Sequence, residues 1–352
     1  MHLVLGERNY TALNPYLIAE VGVNHGGSLE LAKKQIELAA ESGAHAVKFQ
    51  TYKADKIASK EHSRAYWNRT YEPTSSQHEL FSKYDAFEPR DYLYLAEVCK
   101  HNGVEFLSTP FDEEAAIFLS FQAAVKIASA DLTNIPLRRR IAALGKPVLL
   151  STGASTISEV REAITDLKKH GAESLTLLHC VLRYPTEPTN ANLGRISVLN
   201  REFGDEAAIG YSDHVRMENG ELAQLKVAVE LGASVIEKHF THDKGMGGND
   251  HYHAMDADDL RGFVEYLAKR RILLTRDGSD DIELQAEARQ HARRRIFFAQ
   301  DVPSGSTIRD DMIVALRGDV GLEVSEWDSI VGASLSQPGF LGEPLTHAHL
   351  EA

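Results

Sequence analysis

Eight short runs rich in β-branched and other apolar residues recur along the first part of this chain, each followed by a longer stretch of helical periodicity. They lie at 15–24 (PYLIAEVGVN), 44–51, 104–110, 124–131, 147–153, 174–180, 207–213 and 234–240. Between them, segments at 28–42, 112–122, 156–170 and 217–232 gather apolar residues on one helical face. Gly43, Gly171 and Gly232 stand just past the last turns, where a helix end wants a left-handed residue. A strand needs a crossover helix before the next can lie parallel to it, so eight such repeats predict an α/β fold, a (β/α)8 TIM barrel. An open doubly wound sheet is the runner-up. It is disfavoured because no glycine-rich dinucleotide fingerprint follows the first strand.

A long insertion, roughly 52–100, separates the second and third runs and carries Tyr66, Trp67 and Tyr71. Loops of that length are usually functional or mobile. The barrel is expected to fill 1–275. The polar run 276–290 reads as a partly helical linker, and 291–352 as a small β-rich module with short strands and many turn residues. With 352 residues, 43% hydrophobic and 25% charged, the chain can build a large core and a small second one. No apolar run approaches the ~18 residues of a membrane span, and Glu7 and Arg8 come before any signal-peptide core could form. A cytoplasmic protein is the expectation. Cys99 and Cys180 both sit in apolar patterns, which fits buried thiols in a reducing compartment. A formal net charge of −13 argues against a general nucleic-acid binder, because phosphate contacts need clustered Lys and Arg.

In a barrel of this kind the C-terminal strand ends face the active site. Polar residues concentrate there: Glu20 and Asn24 on the first run, Lys48 and Gln50 on the second, Thr109 on the third, Lys126, Ser129 and Asp131 on the fourth, and Ser151 on the fifth. His179 and Tyr184 follow on the sixth, Ser212, Asp213 and His214 on the seventh, Glu237 and His239 on the eighth. Unpaired polar groups are costly to bury, so a shared site is the simplest account of all of them. Lys48 and Lys126, with Thr109, Ser129, Ser151 and Ser212, make a ring of cations and hydroxyls suited to a small phosphorylated carboxylate. His214 and His239, on neighbouring strand ends beside Glu20 and Asp250, suit one divalent ion. A competing metal pair is His251 with His253, two residues apart in a glycine-rich loop.

The same residues carry a family resemblance. The stretches LIAEVGVNHGGSLELAKKQIELAAESGAHAVKFQTY, LSTPFD, VKIASADLTNIPLRR, GKPVLLSTGAS, LLHCVLRYPTE, IGYSDH and VIEKHFTHDKGMGGNDHYHAMD resemble the N-acetylneuraminate (nonulosonic, or sialic, acid) synthase family. The tail RRIFFAQDVPSGSTIRDDMIVALRGDVGL is similar to that family's C-terminal antifreeze-like (SAF) module. The match spans nearly the whole chain in order.

The resemblance implies condensation of phosphoenolpyruvate with an open-chain 2-acetamido aldose, giving a nine-carbon 2-keto acid and phosphate. It implies a divalent ion on His214 and His239, manganese first, with magnesium or cobalt as other ions. Glu20 and Asp250 then activate water and hold sugar hydroxyls, and Gln50, Tyr184 and Glu237 serve the sugar or metal side. Lys48, Lys126, Thr109, Ser129, Ser151 and Ser212 hold phosphoenolpyruvate. The aldose stays open between N-acetylmannosamine and a 2,4-diacetamido-trideoxyhexose. A shorter 3-deoxy-ulosonate synthase and a non-catalytic sugar-binding protein are the other readings of such a chain.

Two departures stand out. The family commonly has Asn before its Tyr-Pro pair, where this chain places Leu182 and Arg183; Arg183 is therefore expected to grip phosphate or to mark a different sugar. Arg317 is followed by Gly318 rather than the frequent Pro. The resemblance implies that Arg317 reaches the partner's barrel in a domain-swapped homodimer, with Ile308, Met312 and Val314 burying apolar surface there.

Overall fold

A computed structural model of the chain describes residues 3–5, 7–67, 69–70, 72–216, 222–248, 250–274 and 282–351. They form two compact units, Met1–Thr275 and Arg276–Ala352. Residues 276–281 of the expected linker, Tyr71, and the opening 217–221 of the expected seventh helix lie outside the described residues.

In the first unit a small antiparallel hairpin, β1 (Leu3–Leu5) and β2 (Arg8–Tyr10), precedes eight parallel strands. These are β3 (Tyr16–Gly22), β4 (Ala46–Thr51), β5 (Glu105–Pro110), β6 (Val125–Ile127), β7 (Val148–Ser151), β8 (Leu175–Cys180), β9 (Ala208–Asp213) and β10 (Val235–His239). Their order around the sheet is β5-β4-β3-β10-β9-β8-β7-β6. The two ends, β5 and β6, lie side by side and close a TIM-type barrel. A side chain replaces the missing ladder at this seam. Ser108 of β5 donates its backbone N–H to Gln122 Oε1 at 2.7 Å, and Gln122 Nε2 donates to the Ser108 carbonyl at 3.2 Å.

Local chemistry explains where the crossover helices begin and end. Ser28 caps Leu29–Glu41 by accepting from the Leu31 N–H, and Thr156 with Glu159 forms a reciprocal cap on Ile157–Lys169. Gly43, Gly171 and Gly232 have φ of +94°, +107° and +99°, the left-handed turn that releases the chain toward the next strand. The insertion is shorter than its sequence suggests. Residues Pro89–His101 form a regular helix packed on the barrel, so only the stretch before it departs from the repeat.

Alternation along each strand positions the site. Successive side chains point to opposite faces of a strand. On β3, Leu17, Ala19 and Val21 turn outward into the core shared with the helices, while Tyr16 and Ile18 turn into the barrel. The inner row continues as Ala46, Leu107, Ala124, Leu149, Leu178, Ala208 and Val235, which pack with the hairpin's Leu3, Leu5 and Tyr10. Fully burying each Leu, Ile or Val side chain in it contributes about 1.5–3 kcal/mol, so this apolar layer closes one end of the barrel firmly. Gly210 lies in the same row because a Cβ there would come within 2.5 Å of Leu178 Cδ2 and 2.6 Å of the Val235 carbonyl. Two residues further along each strand the inner row turns polar: Glu20, Lys48, Thr109, Lys126, Ser151, Cys180, Ser212 and Glu237.

The second unit is built on the antiparallel pair β11 (Arg294–Phe298) and β12 (Ile313–Arg317). Its core contains Ile296, Phe298, Val302, Ile308, Met312, Ile313, Leu335 and Leu345. Ile308 and Met312 are therefore interior residues of this module, and the expectation that they dock on another barrel is corrected. The large apolar side chains it exposes, among the described residues, are Ile282, Leu284, Leu316, Val320, Phe340 and Leu341. No helix among the described residues is long and apolar enough to cross a membrane.

Candidate active site

A cavity of about 320 Å³ opens at the C-terminal strand ends, near the lower bound of the ~300–1,000 Å³ usual for small-molecule sites. Glu20, Lys48, Gln50, Thr109, Lys126, Ser129, Ser151, Tyr184, Ser212, His214, Glu237, His239 and Asp250 all line it. Tyr52, Tyr66, Trp67 and Tyr84 of the insertion also line it. Arg183 is exposed and absent from the wall, so the expectation that it grips phosphate is not supported by its position. Arg317 belongs to the other unit, on exposed β12 backbone. Asp319 pairs with His291 at 2.6 Å and Glu323 with Arg295 at 2.9 Å, and among the described residues the Arg317 side chain has no hydrogen-bond or ion-pair partner.

The charged half of the cavity is one linked network. Lys48 Nζ lies 2.6 Å from Glu20 Oε2 and 3.7 Å from Glu237 Oε2, and donates to Thr109 Oγ1 at 3.1 Å. Lys126 Nζ stands 3.7 Å from Glu237 Oε1, which also accepts from Ser212 Oγ at 2.8 Å. Gln50 Nε2 donates to Glu20 Oε1 at 3.1 Å. All four charged groups are buried, so each protonation state is a contest between desolvation and partners. For Glu20 burial wins, outweighing the Lys48 ammonium, and its carboxyl is pushed up to about 7. For Glu237 burial also raises, but Lys126 and Lys48 together outweigh it and hold the carboxyl below its usual range. Burial pulls Lys126 down. In Lys48 that same effect is overcome by Glu20 and Glu237, and its ammonium is stabilised.

Imidazoles line the same cavity. His214 Nδ1 is 2.9 Å from the Val181 carbonyl, which can only accept, so Nδ1 carries a hydrogen, and in the neutral ring the lone pair is on Nε2. The His214 and His239 ring centres are 5.4 Å apart, and the Tyr184 ring lies tilted by 41° with its centre 4.3 Å from that of His214. His239 Nδ1 is buried with no hydrogen-bond partner among the described residues, 3.6 Å from Asp250 Oδ2. Burial pushes the Asp250 carboxyl up to about 6. An orphaned buried nitrogen beside a carboxylate costs about 1–3 kcal/mol, and a divalent cation satisfies both at once. These donors fit such an ion.

The structure corrects the reading of the loop histidines. His251 turns to Thr241 Oγ1 at 2.8 Å, so the competing His251–His253 pair does not form. His253 is fully buried rather than on a loop rim, and ligand-capable atoms of His239, Asp250 and His253 all lie within 4.8 Å of one another. Cys180 was also missed. It follows Leu178 on the inner row, lines the cavity, and places Sγ 3.6 Å from His214 Nδ1. Strand parity would have found it. Other strand-end polar residues are structural: Asn24 donates to the Phe240 carbonyl, His179 contacts the Ala191 carbonyl, and Asp213 pairs with buried Lys238 at 2.6 Å.

A closed parallel barrel with ammonium groups, carboxylates and imidazoles converging at its strand ends has the architecture of a TIM-barrel enzyme. The chain belongs to the NeuB family, whose model matches residues 35–277, and residues 293–351 match the SAF domain. It is 36% identical to the N,N'-diacetyllegionaminic acid synthase of Legionella pneumophila, across 97% of this chain and 96% of that one. A Campylobacter jejuni protein of the same name is 35% identical, over 90% of this chain and 94% of its own. The crystal structure of an N-acetylneuraminic acid synthetase from Leptospira borgpetersenii, in complex with citrate, is similar with a TM-score of 0.71 and 31% identity. That likeness covers 83% of this chain and 96% of that one. The chain is accordingly an enzyme of the acid-synthase class.

Proposed function

We propose that this enzyme condenses phosphoenolpyruvate with an open-chain 2-acetamido aldose, specifically a 2,4-diacetamido-trideoxyhexose, to give a nonulosonic acid and phosphate. One observation carries the reading: two buried lysine ammonium groups and four hydroxyls face the same cavity as a metal-capable imidazole cluster. The relatives named as N,N'-diacetyllegionaminic acid synthases, similar over nearly their full lengths, support the choice of aldose.

Lys48 and Lys126, with Thr109, Ser129, Ser151 and Ser212, hold the phosphate and carboxylate of phosphoenolpyruvate. The π pair of its C=C bond forms the bond from the methylene carbon to the aldehyde carbon. The aldehyde C=O pair moves onto its oxygen, which takes a proton to become a hydroxyl, and the phosphate-bearing carbon is left cationic. Water then adds at the phosphate-bearing carbon, and phosphate leaves with the bridging oxygen. Glu20, poised near neutrality and oriented by Gln50, takes the proton of that water. Glu237 fixes the two lysines, and Asp250 and Tyr184 face the sugar. His214 and His239 would hold a divalent ion, manganese first, which supplies Lewis-acid polarisation of the aldehyde oxygen. Arg317 serves the barrel of a second copy in a homodimer.

The test is phosphate release from phosphoenolpyruvate and Mn2+ across a panel of aldoses. Release that requires a 2-acetamido aldose and is lost in Lys126→Ala supports the reading. Release with none of them, or with phosphoenolpyruvate alone, refutes it.

A further inference from the structure

The imidazole of His253 has no task in the chemistry proposed above. It reaches the site from the glycine-rich segment that follows β10, three residues after Asp250. The side chain is fully buried, and neither ring nitrogen has a hydrogen-bond partner among the described residues. Interior histidines elsewhere in this barrel do not behave so: His179 Nε2 meets a carbonyl at 2.8 Å and His251 Nδ1 meets a hydroxyl at 2.8 Å. The His253 ring instead stands against His239, with centres 4.8 Å apart, and lies 6.1 Å from His214. Donor atoms of His239, Asp250 and His253 fall within 4.8 Å of one another. An ion with bonds of ~2.0–2.2 Å holds its ligands no more than ~4.4 Å apart, so these three donors need only draw together slightly to share one.

We propose that His253 is a further protein donor, beside His239 and Asp250, to the divalent ion of this site. The consequence is selectivity. Each added imidazole raises the affinity for nitrogen-preferring ions such as cobalt and zinc relative to manganese and magnesium, which narrows the lead given to manganese above without removing it. The inference rests on the metal-dependent reading above and deepens it by naming a ligand and the ion class that ligand selects.

The experiment titrates the chelator-treated full chain with Co2+ alone, following visible absorption and binding heat, for the unsubstituted protein, His253→Ala and His253→Asn. The expected result is an affinity for Co2+ at least tenfold lower in both variants, an altered cobalt spectrum, and a smaller loss for Mn2+. Folded variants that bind Co2+ with unchanged affinity and spectrum overturn the proposal. Anomalous diffraction at the cobalt edge from the unsubstituted protein needs no variant to fold. An ion within bonding distance of a His253 nitrogen supports the proposal, and an ion on His214 and His239 with His253 apart overturns it. Phosphate release across the aldose panel is read separately, so failure of this ligand assignment leaves the condensation standing, and failure of the condensation is visible whatever cobalt does.

Discussion

Replacing Lys48 with Met keeps most of the side chain's volume and removes one charge from the barrel wall. The ammonium it deletes lies 2.6 Å from Glu20 and 3.7 Å from Glu237. Removing one partner of a buried ion pair costs about 3–5 kcal/mol when the other must stay charged. Glu20 has an escape, because burial already pushes its carboxyl up to about 7 from 4.5 and loss of Lys48 raises it further. The folded state therefore keeps a proton that the unfolded chain releases. Stability conferred by such a group is full below the unfolded value and is lost as pH climbs through the folded one. In the unsubstituted protein this decline ends near pH 7. In Lys48→Met it continues, so the stability gap should widen by about 1.4 kcal/mol per pH unit above pH 7. Urea unfolding of both proteins from pH 5 to pH 9 measures the gap directly. In Lys48→Met/Glu20→Gln, against Glu20→Gln, the widening should vanish. A gap that stays constant or narrows above pH 7 would refute the reasoning.

Gln122→Leu should lower stability by about 2–4 kcal/mol in urea unfolding, since it leaves both backbone groups of Ser108 without partners at the barrel seam; a change below ~0.5 kcal/mol would mean that the seam does not depend on it. Arg183→Ala should leave the KM for phosphoenolpyruvate within about twofold, as an exposed residue outside the cavity wall predicts. A tenfold rise would bring Arg183 back to the phosphate. Arg317→Ala and His239→Ala, each inactive alone, should regain activity when unfolded and refolded together, because one mixed barrel keeps its imidazoles and receives an intact Arg317. Continued inactivity in verified mixed dimers would place Arg317 in its own chain's chemistry or in none.

The barrel was legible because its signals are short in range. Alternation of period two, helical periodicity and glycines at helix ends are all written within ten residues of the structure they specify. The polar residues two positions beyond the apolar inner row were legible for the same reason. What escaped depends on contacts far apart in sequence or on loop conformation. Gln122 acts as a strand only because β5 arrives beside it. Arg183 and His253 both sit in loops next to the site, and only the backbone path decides that one points to solvent and the other is buried. The helix Pro89–His101 was within reach, since Glu88, Pro89 and Asp91 make a helix start. The aromatic insertion around it drew the boundary too wide.

The central claim is that this cavity joins the three carbons of phosphoenolpyruvate to an amino-sugar aldehyde. Mass spectrometry of the product formed from uniformly 13C-labelled phosphoenolpyruvate, Mn2+ and a 2,4-diacetamido-trideoxyhexose tests it most directly. The account predicts a 2-keto acid that contains the whole aldose and three labelled carbons, with one phosphate released per product. Label recovered only in phosphoenolpyruvate or pyruvate, with the aldose unchanged, would contradict it.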